Sequence, residues 1–174
     1  MPSHVLRPAT LADADAIFDL YCAVAARPGG LAREQDEITG DYVRHFLRHA
    51  LEDGLCLVAE SAGPGLVGEI HAYSRAIRAF RHVLGDLTVA VHPQMQGRGI
   101  GRALFERLKR EIDTRFPQVA RVELIARESN THAIRLYESV GFRREGRFEA
   151  RVRAVGGGLE ADIPMAWIRP SPTR

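Results

Sequence analysis

Three glycines at alternating positions are the first residues in this sequence whose spacing suggests a chemical role. Gly97, Gly99 and Gly101 lie in the segment 96–102, directly before apolar residues at helical spacing. The N–H groups at the start of a helix are unpaired and carry partial positive charge, and small residues let an anion approach them closely. The segment therefore predicts either a phosphate-binding loop or a flexible turn before an ordinary helix, and the rest of the chain must decide between the two.

The spacing of this loop differs from that of two common phosphate-binding motifs. A Walker A motif needs Lys and then Ser or Thr after its second glycine, whereas Arg102 and Ala103 follow here. The dinucleotide-binding fingerprint needs Gly or Ala at the position of Arg102. Neither ATP nor NAD is therefore favoured as the ligand.

Side chains that could move protons lie on two predicted strands. Glu69, His71 and Tyr73 alternate along one strand, so they either line a substrate cleft or form the solvent-facing side of the sheet. We favour the solvent-facing side, because polar residues on strands mostly face solvent. Asp86 lies near the start of the strand that leads to the glycine loop, and it is the second carboxylate that could act as a base.

The apolar patterns predict the elements that position these residues. Helices are predicted at 11–25, 42–51, 100–112 and 130–140, and strands at 55–60, 66–74, 84–91, 119–126, 142–154 and 159–168. Turns are predicted at Pro28 and Pro64. This order indicates a single α/β (α+β) domain over residues 1–174, with a mixed, mostly antiparallel sheet of about seven strands and helices on both faces.

The composition excludes several classes of protein. Of the 174 residues, 45% are hydrophobic and 26% are charged, and the net charge is +2, which fits one globular domain and gives no support for a nucleic-acid or membrane surface. No apolar stretch has the length of a membrane-spanning helix and the first residues lack the apolar run of a secretory signal, so we expect a cytoplasmic protein. Cys22 and Cys56 form no CxxC pair and predict reduced, buried thiols rather than a metal site.

Two separate motifs resemble those of the GNAT superfamily of acetyl-CoA-dependent N-acetyltransferases. The family pattern Gln/Arg-x-x-Gly-x-Gly/Ala is met by Gln96, Gly99 and Gly101. A second block at 130–138 is similar to the family and follows at the expected distance. The resemblance implies a single GNAT-like domain that uses acetyl-CoA as its co-substrate and needs no metal.

The resemblance also implies a role for each matching residue. Main-chain amides of seven consecutive residues would bind the CoA pyrophosphate: Gln96, Gly97, Arg98, Gly99, Ile100, Gly101 and Arg102. Three strand residues would pair through their backbone with the pantetheine arm: Val89, Ala90 and Val91. The arm would fill a gap where the strands at 88–91 and 122–126 separate, and Asn130 matches a position that usually contacts the cofactor. The side chains of Arg98 and Arg102 either add charge at the phosphates or are solvated.

Acetyl transfer to an amine needs a proton donor for the departing thiolate and a neutral amine as the attacking group. Tyr137 matches the general-acid tyrosine of the family. A core tyrosine would fit the same helical face, and the second motif favours the acid role. Glu69 and Asp86 are the candidates for the base, acting directly or through water.

The acceptor is expected to be a small amine. An α-amino group with a pKa near 7.8 loses its proton at pH 7 for about 1 kcal/mol, against about 4 kcal/mol for a lysine-like amine. Few carboxylates are available to hold a polycation, which favours an amino acid or a related amine. Arg151 and Arg153 share a strand face and either bind a substrate carboxylate or are solvated. An N-terminal amine of a ribosomal protein as the acceptor, a non-catalytic CoA-binding sensor, and a homodimer formed through the last hairpin are the other readings that the resemblance leaves open.

Overall fold

Eight strands and four α-helices are found in the part of the chain that the computed structural model describes, which comprises residues 4–27, 29–63, 65–75, 77–154 and 156–170. Pro28 and Pro64, where turns are predicted, lie outside these residues. The strands are β1 Val5–Pro8, β2 Gly54–Ser61, β3 Gly65–Tyr73, β4 Val83–Val91, β5 Arg121–Arg127, β6 Arg143–Arg144, β7 Phe148–Arg153 and β8 Leu159–Ile168. The helices are α1 Ala14–Ala25, α2 Gly40–Asp53, α3 Ile100–Arg115 and α4 Thr131–Ser139.

All eight strands belong to one sheet with the order β1-β2-β3-β4-β5-β8-β6, and β7 also pairs with β8. Neighbouring strands are antiparallel except for β4 and β5, which are parallel. The predicted mixed, mostly antiparallel sheet is thereby confirmed. Eight strands are observed where six strand ranges and a sheet of about seven strands were predicted. The short strand β1 was missed, and the strand predicted at 142–154 is divided into β6 and β7.

Two apolar cores cover opposite faces of the sheet. Along β2, Leu55 and Leu57 contribute to the core beneath α3 and α4, whereas Cys56 and Val58 contribute to the core beneath α1 and α2. Successive strand side chains point to opposite faces, so this alternation places the two helix pairs on opposite sides. Helices on both faces of the sheet are therefore confirmed.

Helix α3 packs closely against the sheet and fixes the position of the glycine loop that precedes it. Its buried residues recur at helical spacing: Ile100, Leu104, Phe105, Leu108 and Ile112. Each such side chain contributes about 1.5–3 kcal/mol when fully buried. On β3, a Cβ atom at Gly68 would lie 2.9 Å from Ile100 Cγ2 and 3.1 Å from Leu104 Cδ1, so glycine permits this close approach.

Among the described helices, none combines the length and the apolar character needed to cross a bilayer.

Candidate active site

A cleft opens where the two parallel strands at the centre of the sheet separate. β4 and β5 pair only at Val83 with Arg121 and at Leu84 with Val122. Towards the carboxyl ends of both strands a cleft of about 730 Å³ is found, which we call the central cleft. This geometry confirms the predicted separation of 88–91 from 122–126. A cleft of this volume lies in the range of small-molecule sites.

A bulge in β4 brings Asp86 to the cleft. His71 pairs with Thr88 and Tyr73 pairs with Gly85, so β4 carries one more residue than β3 between these pairs. Asp86 lies in this bulge with a φ of 49°, a conformation that residues other than glycine rarely adopt. Its exposed carboxylate lines the central cleft. Bulges and strained residues of this kind often redirect side chains beside active sites.

The glycine loop presents unpaired main-chain donors beyond the end of β4. Gly97 and Gly99 have φ angles of 75° and 79°, and Gly99 is the N-cap residue of α3. Within the described chain, no hydrogen bond uses the N–H groups of residues 97–102. The loop is held in place by Gln96, whose Nε2 donates to the carbonyl oxygen of Val91 at 3.2 Å. Its free donors make the loop suited to bind an anion.

Three side chains that the resemblance places at the cofactor differ in their hydrogen bonds and exposure. Arg102 Nη2 donates to Ser139 Oγ at 2.9 Å, so this guanidinium is held at the end of α4. Asn130 Oδ1 accepts from the N–H of Ala133 at 3.2 Å and caps α4, which leaves the side-chain NH₂ group free to donate. Arg98 is exposed.

Tyr137 packs among aromatic rings on α4. Its ring lies edge-on to Phe105 at 5.6 Å between centroids and tilted against Phe142 at 6.3 Å. Burial raises the pKa of Tyr137 to about 12, so the phenol stays protonated at neutral pH. Tyr137 is not among the residues that line the central cleft. Tyr137 thus makes the aromatic contacts expected of a core residue. It also keeps its phenolic proton over the whole physiological pH range, as a general acid must.

The expectation that Glu69 and His71 face solvent is wrong. Glu69 is 0% exposed and His71 is 2% exposed, because α1 and α2 cover this side of β3. Of the two carboxylates predicted as bases, only Asp86 lines the central cleft, and Glu69 lies behind His71. The sequence predicts two helices ahead of these strands, and such helices must bury their apolar side against one face of the sheet. That requirement could have indicated that the face with Glu69 and His71 is buried.

The acceptor end of the central cleft is built from residues that the sequence did not single out as a group. Five side chains of α2 and β3 line it: Tyr42, His45, Phe46, His71 and Tyr73. Arg33 lies 4.1 Å from the centroid of the Tyr42 ring, and Arg75 also lines the cleft. Tyr42 and Phe46 are spaced four residues apart, a pattern that sequence reasoning assigned wholly to the core.

Arg151 and Arg153 are not among the residues that line the central cleft. The guanidinium of Arg151 lies 3.7 Å from Asp162 Oδ2 and 4.8 Å from the centroid of Phe148. The opposite wall of the cleft instead contains Arg121, whose guanidinium contacts both Glu123 and Glu145. Within the described residues, no group of three or more His, Cys, Asp or Glu side chains is arranged as a metal site.

Comparison with known proteins gives one family. The family described as an acetyltransferase (GNAT) domain matches residues 52–144. Over 78 residues the chain is 50% identical to the ribosomal protein bS18-alanine N-acetyltransferase of Salmonella typhimurium, which is 45% of this chain and 51% of that protein. The chain therefore spans about half the length of the curated relatives it matches.

Two solved structures share the fold over almost the whole chain. A ribosomal-protein-alanine N-acetyltransferase from Brucella melitensis aligns with a TM-score of 0.80 and 28% identity over 94% of this chain and 99% of that one. A GNAT superfamily phosphinothricin acetyltransferase from Sinorhizobium meliloti, in complex with acetyl-CoA, aligns with a TM-score of 0.82 and 20% identity over 98% of this chain and 94% of that one.

Proposed function

The chain belongs to the GNAT family of acetyltransferases, and on that premise we propose that it transfers the acetyl group of acetyl-CoA to the primary amine of a small molecule, such as an amino acid, by direct attack in a ternary complex. The observation that carries this proposal is the opening of the sheet beside unpaired main-chain donors. The gap leaves the backbone of β4 beyond Leu84 without pairing to β5, so an extended arm can pair there as an added strand.

The residues beyond the central cleft, at the carboxyl end of β4, fit acetyl-CoA. Val89, Ala90 and Val91 would pair with the pantetheine arm through their backbone, and the unpaired N–H groups of 97–102 would bind the pyrophosphate. A Cβ atom at Gly101 would lie 3.0 Å from Leu136 Cδ2, so a small residue at this position lets the start of α3 lie close to α4. When bound, acetyl-CoA supplies the activated acyl group as a thioester.

We assign a proton-transfer role to Tyr137 and a binding role to Asp86. Tyr137 gives its phenolic proton to the departing sulfur, because a pKa of about 12 keeps the donor form populated at every working pH. Asp86 holds the ammonium form of the acceptor at the cleft, where it is an exposed carboxylate. The side chain of Arg98 adds positive charge beside the phosphates, and Arg102 contributes its main-chain N–H group.

The acceptor end of the cleft supports a small amine that also carries an anionic group. Arg33 and Arg75 lie there with Asp86, so one end of such a substrate can be held by a guanidinium while its ammonium contacts the carboxylate. The aromatic side chains of Tyr42, Phe46 and Tyr73 provide apolar surface between them. An amino acid has this distribution of charge.

A protein N-terminus is the second candidate acceptor. The 50% identity over 78 residues with a ribosomal protein bS18-alanine N-acetyltransferase supports it. The acceptor is an α-amine in both cases, so the central chemistry is the same and the difference lies in the size of the group behind the amine. A CoA-binding sensor without catalysis is the third candidate, and the presence of Tyr137 argues against it. A cytoplasmic location and a homodimer through the last hairpin stay predictions.

The experiment that tests the proposed function measures release of free CoA thiol from acetyl-CoA. The panel contains free amino acids, polyamines, aminoglycosides and peptides with an N-terminal alanine. We expect turnover with amino acids, and turnover with the peptides alone would establish the protein-directed alternative. Tight binding of acetyl-CoA without thiol release for any acceptor would contradict the enzymatic proposal and support a sensor.

A further inference from the structure

A buried polar cluster lies directly behind the acceptor end of the central cleft. It consists of Glu69, His71, Tyr21 and Cys56, and we call it the Glu69 cluster. Tyr21 donates its phenolic hydrogen to Glu69 Oε2 at 2.7 Å, and the thiol of Cys56 donates to Oε1 at 3.1 Å. His71 Nδ1 lies 3.0 Å from the same Oε1 atom. Three polar side chains in an apolar core are therefore arranged around one carboxyl group.

Two neighbours of Glu69, Tyr21 and Cys56, donate hydrogen bonds to it. Burial and the adjacent carboxylate raise the pKa of Tyr21 and of Cys56 well above their usual values, so both groups keep their protons. Both oxygens of the Glu69 carboxyl group therefore accept a hydrogen bond. In the described chain no arginine or lysine forms an ion pair with Glu69, and only His71 can supply a compensating positive charge.

The geometry of His71 determines which of its nitrogens is available. Its ring stacks on Phe46 at 4.0 Å between centroids with an angle of 14° between the planes. We assign the ring hydrogen to Nδ1, which lies 3.0 Å from Glu69 Oε1, and this assignment leaves the lone pair of the neutral ring on Nε2. His71 lines the central cleft, so the ring edge that bears Nε2 is the one turned away from the cluster.

Other titratable and charged groups approach His71 from every element packed around it. Tyr21 of α1 lies 3.4 Å from Nδ1, and the ring of Tyr73 lies 6.1 Å away and nearly parallel. The remaining titratable and charged groups that line the cleft or the cluster are Arg33, Tyr42, His45, Cys56, Arg75, Asp86, Arg121, Glu123 and Glu145. Of all the carboxylates around the ring, Glu69 is the one in contact with the imidazole.

We propose that His71 accepts the proton of the acceptor amine and that Glu69 is the positioning residue that holds its tautomer and orientation. This inference rests on the proposed function. The ammonium gives one proton to His71 Nε2, and the neutral amine forms the C–N bond at the acetyl carbonyl. The C–S bond breaks while Tyr137 protonates the sulfur, the nitrogen's second proton restores the Tyr137 phenol, and His71 releases its proton to solvent.

The kinetic test compares His71→Gln with His82→Gln, which changes an exposed histidine outside the cleft. We expect H71Q to lower kcat at pH 7 by about 100-fold or more, with the Kd for acetyl-CoA unchanged within about twofold. The deficit should shrink at higher pH, because a larger fraction of the acceptor amine is then already neutral. H82Q should retain the wild-type kcat and pH profile.

Two further variants separate the positioning role and the competing base. Glu69→Gln should lower kcat by about tenfold or more while the KM of the amine changes little, since Glu69 does not touch the substrate. Asp86→Asn should raise the KM of the amine and leave the acidic limb of the pH profile in place. If D86N removes that limb and H71Q keeps it, Asp86 is the base and the proposal for His71 is overturned.

A spectroscopic test does not depend on turnover. In chain labelled with ¹⁵N-histidine, the His71 ring is assigned through its contacts with Phe46, and we expect a protonated Nδ1 and an unprotonated Nε2 in the neutral form. The opposite tautomer would refute the role of Nε2 as acceptor even if H71Q fails to fold. Absence of turnover in the wild type contradicts the proposed function and this role together, whereas full kcat in H71Q contradicts this role alone.

Discussion

Replacing Tyr137 by Phe removes the proposed acid and leaves its packing in place. The ring contacts with Phe105 and Phe142 do not involve the hydroxyl, so the Tm should change little. With a pKa of about 12, only about one phenol in ten thousand is ionised at pH 8 in the wild type. The variant therefore loses a fully populated donor, and general-acid effects predict a fall in kcat of about 10²–10⁴-fold, or about 2.7–5.4 kcal/mol.

The assay for Tyr137→Phe is initial-rate thiol release at saturating acetyl-CoA, with the Kd for acetyl-CoA measured by calorimetry as the control. The Kd should stay within about twofold, because the hydroxyl is not part of the glycine cradle. Raising the pH from 7 to 10 should not lower wild-type turnover through Tyr137, since its acid form persists up to about pH 12. A kcat within about threefold of the wild type would refute the acid role and leave Tyr137 as a core aromatic residue.

Three further predictions concern the cradle and the stability of the fold. Gly99→Ala should weaken acetyl-CoA binding about 5- to 30-fold by calorimetry, because φ is 79° and a left-handed residue costs roughly 1–2 kcal/mol; Gly156→Ala, with a φ of 92° in the distant hairpin, should not. Asp13 has a pKa lowered to about 2 by Arg7, so the stability that it contributes is present above about pH 4 and is lost as the pH falls through 2. Asp13→Asn should cost about 1–2 kcal/mol in urea unfolding at pH 7 and almost nothing at pH 2, a discounted value because the Arg7 side chain is 32% exposed; an equal loss at both pH values would contradict the ion pair. Gly68→Val should lower the Tm and cost about 1–3 kcal/mol, because its Cβ would lie 2.9 Å from the first residue of α3, and an unchanged Tm would show that α3 can move away.

The fold was predictable where a single element carried its own pattern. The buried positions of α3 recur at helical spacing, and the glycine loop ahead of it is a local signal that survives in the structure. β1 has only four residues, too few to show a period, and it is defined by its pairing with β2. The division of the strand predicted at 142–154 is likewise set by how each half pairs with β8. Pairing between strands that lie far apart in the sequence cannot be predicted from the residue pattern of either strand alone.

Those parts of the site that lie within one short stretch of sequence could be predicted, and those that depend on contacts between distant stretches could not. The glycine loop and Tyr137 lie in two short blocks, and both were identified from those blocks. The environment of Glu69 depends on Tyr21 and Cys56, which lie 48 and 13 residues away along the chain. Strand alternation correctly placed Glu69 and His71 on one face, but only the packing of α1 and α2 decides that this face is buried. The alternation of side chains along a strand therefore predicted that these residues share one face, but it could not predict whether that face is buried or exposed.

The separation of β4 and β5 also explains how the proposed acid and base can act on one carbonyl. Tyr137 packs against the core beneath α3 and α4, whereas His71 stacks on Phe46 in the core beneath α1 and α2. A continuous sheet would keep side chains of its two faces on opposite sides of the backbone layer. Because pairing ends after Leu84, an acyl group in the gap is open to both faces. Closing the gap would separate the proton that leaves the amine from the proton that reaches the sulfur, so the open sheet is a requirement of the proposed chemistry and not only a binding site.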